Sequence, residues 1–362
     1  MKNIIFITSS IDFAGASKML CFVAESLALR GYNVRILNLN SAKDVSGYRR
    51  SLSDAIGLWD IAQGSPMKRL KQIVRISREA DADVIIGFTG YPNMFARLTG
   101  WCLGIPSIMS ERGDPKYTCQ GKGLKSKLAL RIINCSSGGV FQTPGAMEFY
   151  GKRLQKRGVV IPNPIFIKGE IPRVEQSQRE KTVVSVGRLD NFQKRYDVML
   201  KAFKLFSEKY PEYILKLYGR GNDEDLIEEW VETMGLSAKV RFMGLTTQPM
   251  QDIAADGIFL ITSDYEGISN SLLEAMAVGL PCVSTDHSPG GARLLITDHE
   301  NGLLAPVEDA EGLADALCEF AEDPALAEKC GQNARQVLER FAPERIIDQW
   351  EALITKMTSR GV

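Results

Sequence analysis

Two glutamates that are eight residues apart, Glu266 and Glu274, flank the predicted start of a helix. Ser269 or Asn270 is suited to cap this helix, because a side-chain oxygen at that position accepts a hydrogen bond from a free backbone N–H group. The free N–H groups and the positive end of the helix dipole favour a bound phosphate. Glu274 follows about one turn later, where its carboxylate could reach a ribose diol. The alternative is a structural cap with an exposed glutamate beside it.

Arg188 and Lys194 are two cations that follow a strongly apolar run, which we predict to be a strand. A diphosphate gains negative charge when its bond to a sugar breaks, and cations fixed beside it stabilise that charge. Considered alone, an arginine and a lysine with this spacing are more typical of a solvated surface. The position after a strand and upstream of the two glutamates favours the binding role.

Two loops in the first half of the chain also follow predicted strands. The first contains Gly15 and Ala16 at the start of a predicted helix, where a plain helix cap is the alternative to ligand binding. The second carries Glu111 and Arg112 side by side. A structural salt bridge is the alternative to a role of this pair in binding.

Short apolar runs alternate with amphipathic stretches of helical length, which predicts parallel sheets with helical crossovers. Ligands bind to such sheets beyond the carboxyl ends of the strands. The predicted strands are residues 3–8, 33–39, 83–88, 106–109, 138–142, 158–161, 182–187, 213–218, 239–243, 257–262 and 281–284. The predicted helices are residues 16–30, 66–80, 91–103, 194–209, 222–235, 269–278, 309–321 and 343–358.

A break in this alternation predicts a domain boundary. Residues 162–164, Pro-Asn-Pro, and the polar residues 175–180 interrupt the pattern. We therefore predict two α/β domains, residues 1–168 and 169–342, and a final helical segment, residues 343–362. The main ligand site is expected where the carboxyl ends of the two sheets face each other.

The composition sets limits on the class of protein. The 362 residues are 44% hydrophobic and 24% charged, as in soluble globular proteins, and exceed one ordinary domain. No apolar run approaches the roughly 18 residues of a membrane-spanning helix, and the first run is too short for a signal peptide. The seven cysteines are scattered, which argues against a disulfide framework or a zinc site and favours the cytosol. With only two histidines, a histidine-rich metal site is not expected.

The net charge of zero hides an asymmetry between the two halves of the chain. Residues 1–168 contain 24 Lys and Arg against 11 Asp and Glu, and the remainder contains 20 against 33. A basic half can meet a phospholipid surface or a lipid diphosphate. Electrostatic attraction between the two halves is the structural alternative. Binding of nucleic acid is a third possibility, but the sequence contains no recognised nucleic-acid-binding module. Residues 68–71 and 116–131 mix basic and apolar residues, as in a membrane-bound helix or an ordinary surface helix.

The run Glu-Gly-x(6)-Glu-Ala-Met-Ala-x-Gly-x-Pro, residues 266–281, is similar to the signature of the retaining family 4 glycosyltransferases. The resemblance implies an α/β fold of two facing Rossmann-like domains, the GT-B type, with a C-terminal helix that crosses back to the first domain. It implies that Glu266 lies at the donor sugar and that Glu274 binds the nucleotide ribose. The spacing Gly-Arg-x(5)-Lys resembles the family's diphosphate-binding pair, which gives that role to Arg188 and Lys194.

The same resemblance assigns further residues to the ligands. The first loop looks like the family's glycine-rich loop, although Ala14 replaces the usual glycine and Ser17 a frequent acidic residue. Many relatives place a histidine near Arg112, and the form found here resembles a subset of bacterial surface-polysaccharide transferases. We assign Glu111 and Arg112 to the acceptor or sugar side. The predicted catalytic residues are Glu266, Arg188 and Lys194, and the predicted donor-binding residues are Gly15, Ala16, Gly187, Gly219, Gly267, Ile268, Ser269, Asn270, Ser271 and Glu274.

Two weaker motifs and one histidine complete the candidates. The acidic triplet at 264–266 superficially resembles the metal-binding triplet of the other large glycosyltransferase fold, but two-lobed enzymes of the family need no metal. Gly219 and Gly221 lack the third glycine of a dinucleotide-binding motif, and the family implies a turn near the nucleotide base. His287 is interpreted as a loop residue and not as a catalyst.

The resemblance predicts a retaining, metal-independent transfer of a hexose or N-acetylhexosamine from a UDP-sugar, with no other cofactor. The expected acceptor is a saccharide linked to polyprenyl diphosphate, in the synthesis of O-antigen, capsule or exopolysaccharide. The protein is expected at the cytoplasmic face of the inner membrane, in peripheral contact with anionic lipid and without nucleic acid. The alternatives are a nucleotide-sugar epimerase of the same architecture and a non-catalytic protein that binds a sugar nucleotide.

Overall fold

The computed structural model describes residues 2–11, 15–40, 52–119, 123–167 and 169–359. The chain divides into two compact units, one comprising Met1–Pro164 and Pro343–Val362 and the other Ile165–Ala342. From the sequence we predicted boundaries at 168/169 and 342/343. In the structure the chain changes unit at 164/165 and at 342/343.

The first unit is built on a seven-stranded sheet with the strand order β3-β2-β1-β4-β5-β6-β7. All neighbouring strands are parallel. The central strands are buried along their whole length, because helices cover both faces of the sheet. The strands are β1 (Asn3–Thr8), β2 (Asn33–Asn38), β3 (Gly57–Asp60), β4 (Val84–Phe88), β5 (Ser107–Glu111), β6 (Gly138–Phe141) and β7 (Gly158–Val160).

Alternate residues of the strands in the first unit face two separate apolar layers. Ile4 and Phe6 of β1 pack with α1 and α17, whereas Ile5 and Ile7 pack with α2 and α3. Ile133 of α5 packs against β5 and β6 on the same side as α3. The helices of this unit are α1 (Gly15–Leu29), α2 (Pro66–Glu79), α3 (Gly90–Leu103), α4 (Pro115–Thr118), α5 (Leu124–Ile133), α6 (Pro144–Glu148), α7 (Lys152–Gln155) and the final helix α17 (Pro343–Thr358).

The final helix α17 is part of the core of the first unit. Trp350 is fully buried, and its ring stacks on Phe88 of β4 with 5.8 Å between the ring centroids. At the surface, Arg30 at the end of α1 forms ion pairs with Glu344 and Glu351 of α17 at 2.8 and 2.6 Å. The last helix therefore completes the apolar layer that α1 begins.

The second unit contains a parallel six-stranded sheet with the order β10-β9-β8-β11-β12-β13. Helices again cover both faces, and the two resulting apolar clusters use alternate residues of the strands. The strands are β8 (Thr182–Val186), β9 (Ile214–Tyr218), β10 (Val240–Gly244), β11 (Ile258–Ile261), β12 (Cys282–Thr285) and β13 (Leu303–Ala305). The helices are α8 (Asn191–Lys194), α9 (Tyr196–Lys209), α10 (Glu224–Thr233), α11 (Pro249–Ile253), α12 (Asn270–Ala277), α13 (Gly291–Leu295), α14 (Ala310–Glu322), α15 (Pro324–Ala334) and α16 (Val337–Arg340).

The predicted fold class, α/β with two Rossmann-like units, is confirmed. Every predicted strand overlaps a strand of the structure, and the strands β3 and β13 were missed. The predicted helix 194–209 is wrong in one respect, because Arg195 adopts a left-handed conformation that separates α8 from α9. In the part of the chain that the structure describes, no helix is both long and apolar enough to cross a bilayer.

Candidate active site

Glu266 lies in the loop that connects β11 to α12. This loop is held by the neighbouring loop after β12, since the amide of Glu266 donates a 2.8 Å hydrogen bond to the carbonyl oxygen of Ser288. The amide of Ser288 in turn donates to the carbonyl oxygen of Asp264 at 3.2 Å. Two loops at the carboxyl ends of adjacent parallel strands thus fix the backbone at Glu266, which is where ligands bind in sheets of this type.

The carboxylate of Glu266 forms an ion pair with Lys194. The two side chains are only 13% and 15% exposed, and Ser263 Oγ donates a further hydrogen bond of 3.2 Å to the same carboxylate oxygen. Burial alone would raise the pKa of the Glu266 carboxyl, but the charge of Lys194 and these hydrogen bonds hold its pKa below the usual value. Glu266 is therefore an anion at neutral pH.

Arg195 positions Lys194 by fixing the turn between α8 and α9. Its backbone is left-handed, with φ of 53° and ψ of 53°, which costs free energy for a residue other than glycine. The guanidinium group compensates by pairing with Asp197 at 3.0 Å and with Asp264 at 2.8 Å. Thr262 Oγ1 adds a 2.7 Å hydrogen bond to the carbonyl oxygen of Lys194. The strained turn thus holds Lys194 against the Glu266 loop.

Arg188 is the most exposed of the predicted catalytic residues. Its side chain is 64% exposed, forms a 2.9 Å ion pair with Asp190 and donates a 3.3 Å hydrogen bond to Gln193 Oε1. The side-chain Nε2 of Gln193 donates in turn to the carbonyl oxygen of Tyr265 at 3.0 Å. Arg188 is therefore linked to the Glu266 loop through Gln193, and most of its guanidinium group is accessible to an anion.

The predicted glycines lie where backbone segments come very close. A Cβ atom on Gly187 would meet the side chain of Lys194 at 3.4 Å, so the lysine lies directly over this backbone. Gly219 has a φ of 146°, and a Cβ atom there would lie 1.8 Å from the carbonyl oxygen of Gly187. A Cβ atom on Gly291 would lie 1.7 Å from the carbonyl oxygen of Gly267. The geometry requires glycine at 219 and 291.

The helix α12 begins beside the Glu266 loop, as the sequence predicts. Ser269 is its N-cap, with Oγ accepting a 3.4 Å hydrogen bond from the amide of Leu272 and lying 3.1 Å from Ser271 Oγ. Ile268 is buried in the apolar cluster, whereas Asn270, Ser271 and Glu274 are half-buried. The first turn of α12 contains no acidic residue, which leaves its dipole uncompensated there.

The predicted residues of the first unit fall into two groups. Gly15 is exposed and Ala16 half-buried at the start of α1, and Ala14, which replaces the usual glycine, lies outside the described residues. Glu111 and Arg112 are both buried, at 0% and 7% exposure. Their burial makes them part of the framework of this unit.

The backbone amide of Arg112 donates a 3.1 Å hydrogen bond to the Glu111 carboxylate, whereas the side chains of the two residues have separate partners. The Glu111 carboxylate accepts hydrogen bonds from Tyr150 Oη at 2.8 Å and Thr118 Oγ1 at 3.2 Å, and burial raises its pKa. The Arg112 guanidinium donates to the carbonyl oxygen of Ile161 at 3.1 Å and to Asn163. Burial lowers the pKa of Arg112.

The two carboxylates within residues 264–266 form ion pairs with basic side chains of the protein itself. Asp264 pairs with Arg195 and Glu266 pairs with Lys194. Among the described residues, no group of three His, Cys, Asp or Glu side chains is arranged to hold a metal ion.

Sequence reasoning placed His287 in a loop, and the structure agrees, but its burial beside Glu266 was not predicted. The side chain is 1% exposed, and its attraction to Glu266 partly offsets the effect of burial on both groups. The available signal was its position directly after β12 and before two glycines, in a loop that parallels the Glu266 loop.

The chain is similar to known glycosyltransferases. A family model described as "Glycosyl transferases group 1" matches residues 168–337, which include every predicted site residue of the second unit. An uncharacterized glycosyltransferase of Haemophilus influenzae is 25% identical over 369 residues, covering 98% of this chain and 100% of the relative. A Campylobacter jejuni protein, GalNAc-alpha-(1->4)-GalNAc-alpha-(1->3)-diNAcBac-PP-undecaprenol alpha-1,4-N-acetyl-D-galactosaminyltransferase, is 24% identical over 371 residues, covering 99% of both chains.

Solved structures show the same fold. HepE of Anabaena in complex with UDP has a TM-score of 0.82 at 18% identity, covering 98% of this chain and 100% of its own. The same protein in complex with UDP-glucose has a TM-score of 0.81 at 17% identity, with the same coverage. The resemblance inferred from the sequence is supported: the chain has the GT-B fold, and its second unit is similar to the group 1 glycosyltransferases.

Proposed function

We propose that the protein transfers a hexose or an N-acetylhexosamine from a UDP-sugar to a lipid-linked saccharide with retention of the α-configuration. The observation that carries this proposal is the buried Lys194–Glu266 ion pair, placed between the backbone at Gly187 and the start of α12. It brings together a cation for a phosphate, a carboxylate for a sugar and a helix start for an anion.

Each side chain has a separate task in this reaction. Lys194 and Arg188 neutralise the diphosphate, and the free N–H groups of α12 add a positive partial charge. Glu266 accepts hydrogen bonds from the donor sugar, and Glu274 accepts them from the ribose. The acceptor hydroxyl attacks on the face that the diphosphate leaves, and the departing phosphate oxygen takes its proton. This route needs neither a glycosyl-enzyme intermediate nor a metal ion.

Two relatives support the choice of donor and acceptor. HepE binds UDP and UDP-glucose, and its chain superposes on nearly all of this one. The Campylobacter relative is named for transfer of N-acetyl-D-galactosamine to a saccharide on undecaprenol diphosphate. We therefore place the reaction in the synthesis of a bacterial surface polysaccharide, at the cytoplasmic face of the inner membrane.

A basic surface on the first unit supports the membrane location. The helices α2, α3 and α5 share one face of the sheet and contain nine Lys and Arg residues against one acidic residue, Glu79. The same helices expose Leu124, Leu128 and Tyr91, at 84%, 56% and 60%. Basic side chains interspersed with exposed apolar ones are suited to anionic lipid headgroups.

The proposal is tested by measuring UDP release from a panel of UDP-sugars, with and without a polyprenyl-diphosphate-linked saccharide. We expect release that depends on the acceptor, persists in EDTA and gives an α-linked product by NMR. An epimerase would convert the sugar without an acceptor. A non-catalytic binder would bind UDP-sugar without turnover and would tolerate Glu266→Ala.

A pair of variants separates the site from general charge effects. Glu266→Gln is expected to lower kcat by about 10²-fold to 10³-fold, the range found when one group that stabilises developing charge is removed. Glu212→Gln is the matched control, because Glu212 forms an exposed ion pair with Lys181 at 2.9 Å in the same unit. The control should keep full activity.

A further inference from the structure

His287 is a buried histidine. Its side chain is 1% exposed, and within the described residues neither Nδ1 nor Nε2 forms a hydrogen bond of normal geometry. Burial lowers the pKa of the ring, and the charge of Glu266 and the backbone of Ser288 partly oppose this effect. Buried polar atoms are nearly always hydrogen-bonded, because an unpaired one loses its interaction with water without compensation. An apolar residue of similar size would fill the same space without this penalty. The imidazole therefore calls for a role other than packing.

The ring lies against the loop that carries Glu266. A Cβ atom on Gly291 would lie 3.0 Å from His287 Cε1 and 1.7 Å from the carbonyl oxygen of Gly267, so the ring and the Gly267–Ile268 peptide both lie against the backbone of Gly291. The hydrogen bond from the amide of Glu266 to Ser288, at 2.8 Å, locks the two loops together. His287 is thus held at a fixed position relative to Glu266.

Three charged groups act on His287, namely Glu266, Lys194 and Asp286. Asp286 is already occupied, since Arg293 Nε donates to its Oδ1 at 2.7 Å. The Glu266 carboxylate is paired with one cation, Lys194. Tyr196, which also faces Glu266, has its pKa raised by burial and is neutral at physiological pH. Glu266 is therefore the acidic group with which a protonated His287 can form an ion pair.

The proposed function creates a conflict that His287 can resolve. Lys194 pairs with Glu266 in the structure, yet the same lysine is required by the diphosphate of the donor. When Lys194 turns to the phosphate, Glu266 is left as a buried carboxylate without a cation, which is strongly unfavourable. Removal of the nearby lysine charge also favours a proton on His287.

We propose that His287 is the exchange partner of Glu266, neutral while Lys194 pairs with Glu266 and protonated when a diphosphate draws Lys194 away. One ring nitrogen takes a proton from solvent, and its N–H group donates to the Glu266 carboxylate. One proton is therefore taken up for each nucleotide bound. His287 is a positioning residue, because it keeps Glu266 charged and oriented toward the sugar. The inference rests on the proposed function.

The first experiment measures proton uptake during UDP binding. Calorimetric titrations at pH 8 in two buffers of different ionisation enthalpy give the number of protons exchanged per UDP, and at this pH free UDP carries no titrating proton. We expect a measurable proton uptake for the wild type and none for His287→Gln. His299→Gln is the matched control, because His299 is the other histidine and is 55% exposed. Equal uptake in wild type and His287→Gln would overturn the proposal.

The second experiment observes the ring without relying on a ligand. The chain has two histidines, so ¹⁵N NMR of the imidazoles gives two pairs of ring-nitrogen signals that His299→Gln assigns. In Lys194→Met, which mimics the departure of the lysine, we expect a proton affinity of His287 at least about tenfold higher than in the wild type. An unchanged His287 titration in Lys194→Met refutes the exchange.

The two experiments distinguish the inference from the proposed function. If UDP does not bind, the proposed function fails while the NMR titration of Lys194→Met still decides the role of His287. If UDP binds and the His287 ring of the wild type stays neutral, the exchange is wrong and the donor assignment stands. A third measurement, NMR of the wild type titrated with UDP, needs only the exposed His299 to be substituted for the assignment, so a failure of Lys194→Met or His287→Gln to fold does not prevent a decision.

Discussion

Replacement of Lys194 by methionine removes the cation from Glu266 and keeps a side chain of similar length. The two side chains are 15% and 13% exposed, so the pair is largely desolvated. Removal of one partner of a buried ion pair costs about 3 to 5 kcal/mol. The 3.2 Å hydrogen bond from Ser263 remains, and protonation of His287 would partly replace the lost charge, which puts the expected loss at the lower end. We expect about 3 kcal/mol, or roughly 150-fold in the unfolding equilibrium of the second unit.

The assay is urea unfolding at pH 8, with hydrogen exchange of peptides from β11 and α12 reporting on the second unit by itself. The double variant Lys194→Met/Glu266→Gln should be more stable than the sum of the single effects predicts, by about 2 kcal/mol, because no unpaired charge stays buried. Lys181→Met is the control, since Lys181 and Glu212 are 64% and 42% exposed, and it should leave the unfolding midpoint unchanged. Additive effects in the double variant would refute the argument that the pair is buried and coupled.

The remaining predictions concern pH, backbone geometry and lipid binding. Because the pKa of Glu266 is lowered in the folded state, its contribution to stability is complete above about pH 5 and is lost as the pH falls, so the stability difference between wild type and Glu266→Gln should shrink in acid unfolding experiments. Gly219→Ala should abolish UDP binding measured by calorimetry, since its Cβ atom would lie 1.8 Å from a backbone oxygen, whereas Gly235→Ala, which also has positive φ but meets nothing within 4 Å, should bind UDP normally. Leu124→Ser should weaken binding to phosphatidylglycerol vesicles in a flotation assay, and Leu29→Ser, on a side chain that is 87% exposed compared with 84%, should not. Equal binding by the two leucine variants would argue against α5 as the membrane contact.

The fold was largely predictable because parallel strands that are buried on both faces have continuous apolar sequences. Such runs mark β1, β4, β8 and β11, whose residues are almost all buried. The two missed strands lack this signal for different reasons. β3 lies at the edge of its sheet and is partly exposed, and β13 is only three residues long. Neither offers a pattern that can be distinguished from a loop.

The site was predictable in its residue types but not in its pairings. The sequence places Glu266 after β11 and Ser269 at the start of α12, because an apolar run is followed by a glycine and then by a residue suited to cap a helix. The left-handed turn at Arg195 does not, because its stability comes from carboxylates that are distant in sequence, such as Asp264. The same is true of His287, which is brought to Glu266 by a loop twenty residues further along. Long-range contacts of this kind leave no local periodicity.

The path of the chain has a consequence for biosynthesis. Residues 165–342 are inserted into the first unit, and their two ends lie side by side, joined by a 2.8 Å hydrogen bond from the amide of Ile165 to the carbonyl oxygen of Phe341. A ribosome therefore delivers the complete second unit before Trp350 emerges to cover Phe88. Until then the nascent first unit displays an open apolar layer beside α1. Translation order thus favours early folding of the second unit, and the first unit is completed only when α17 has left the ribosome.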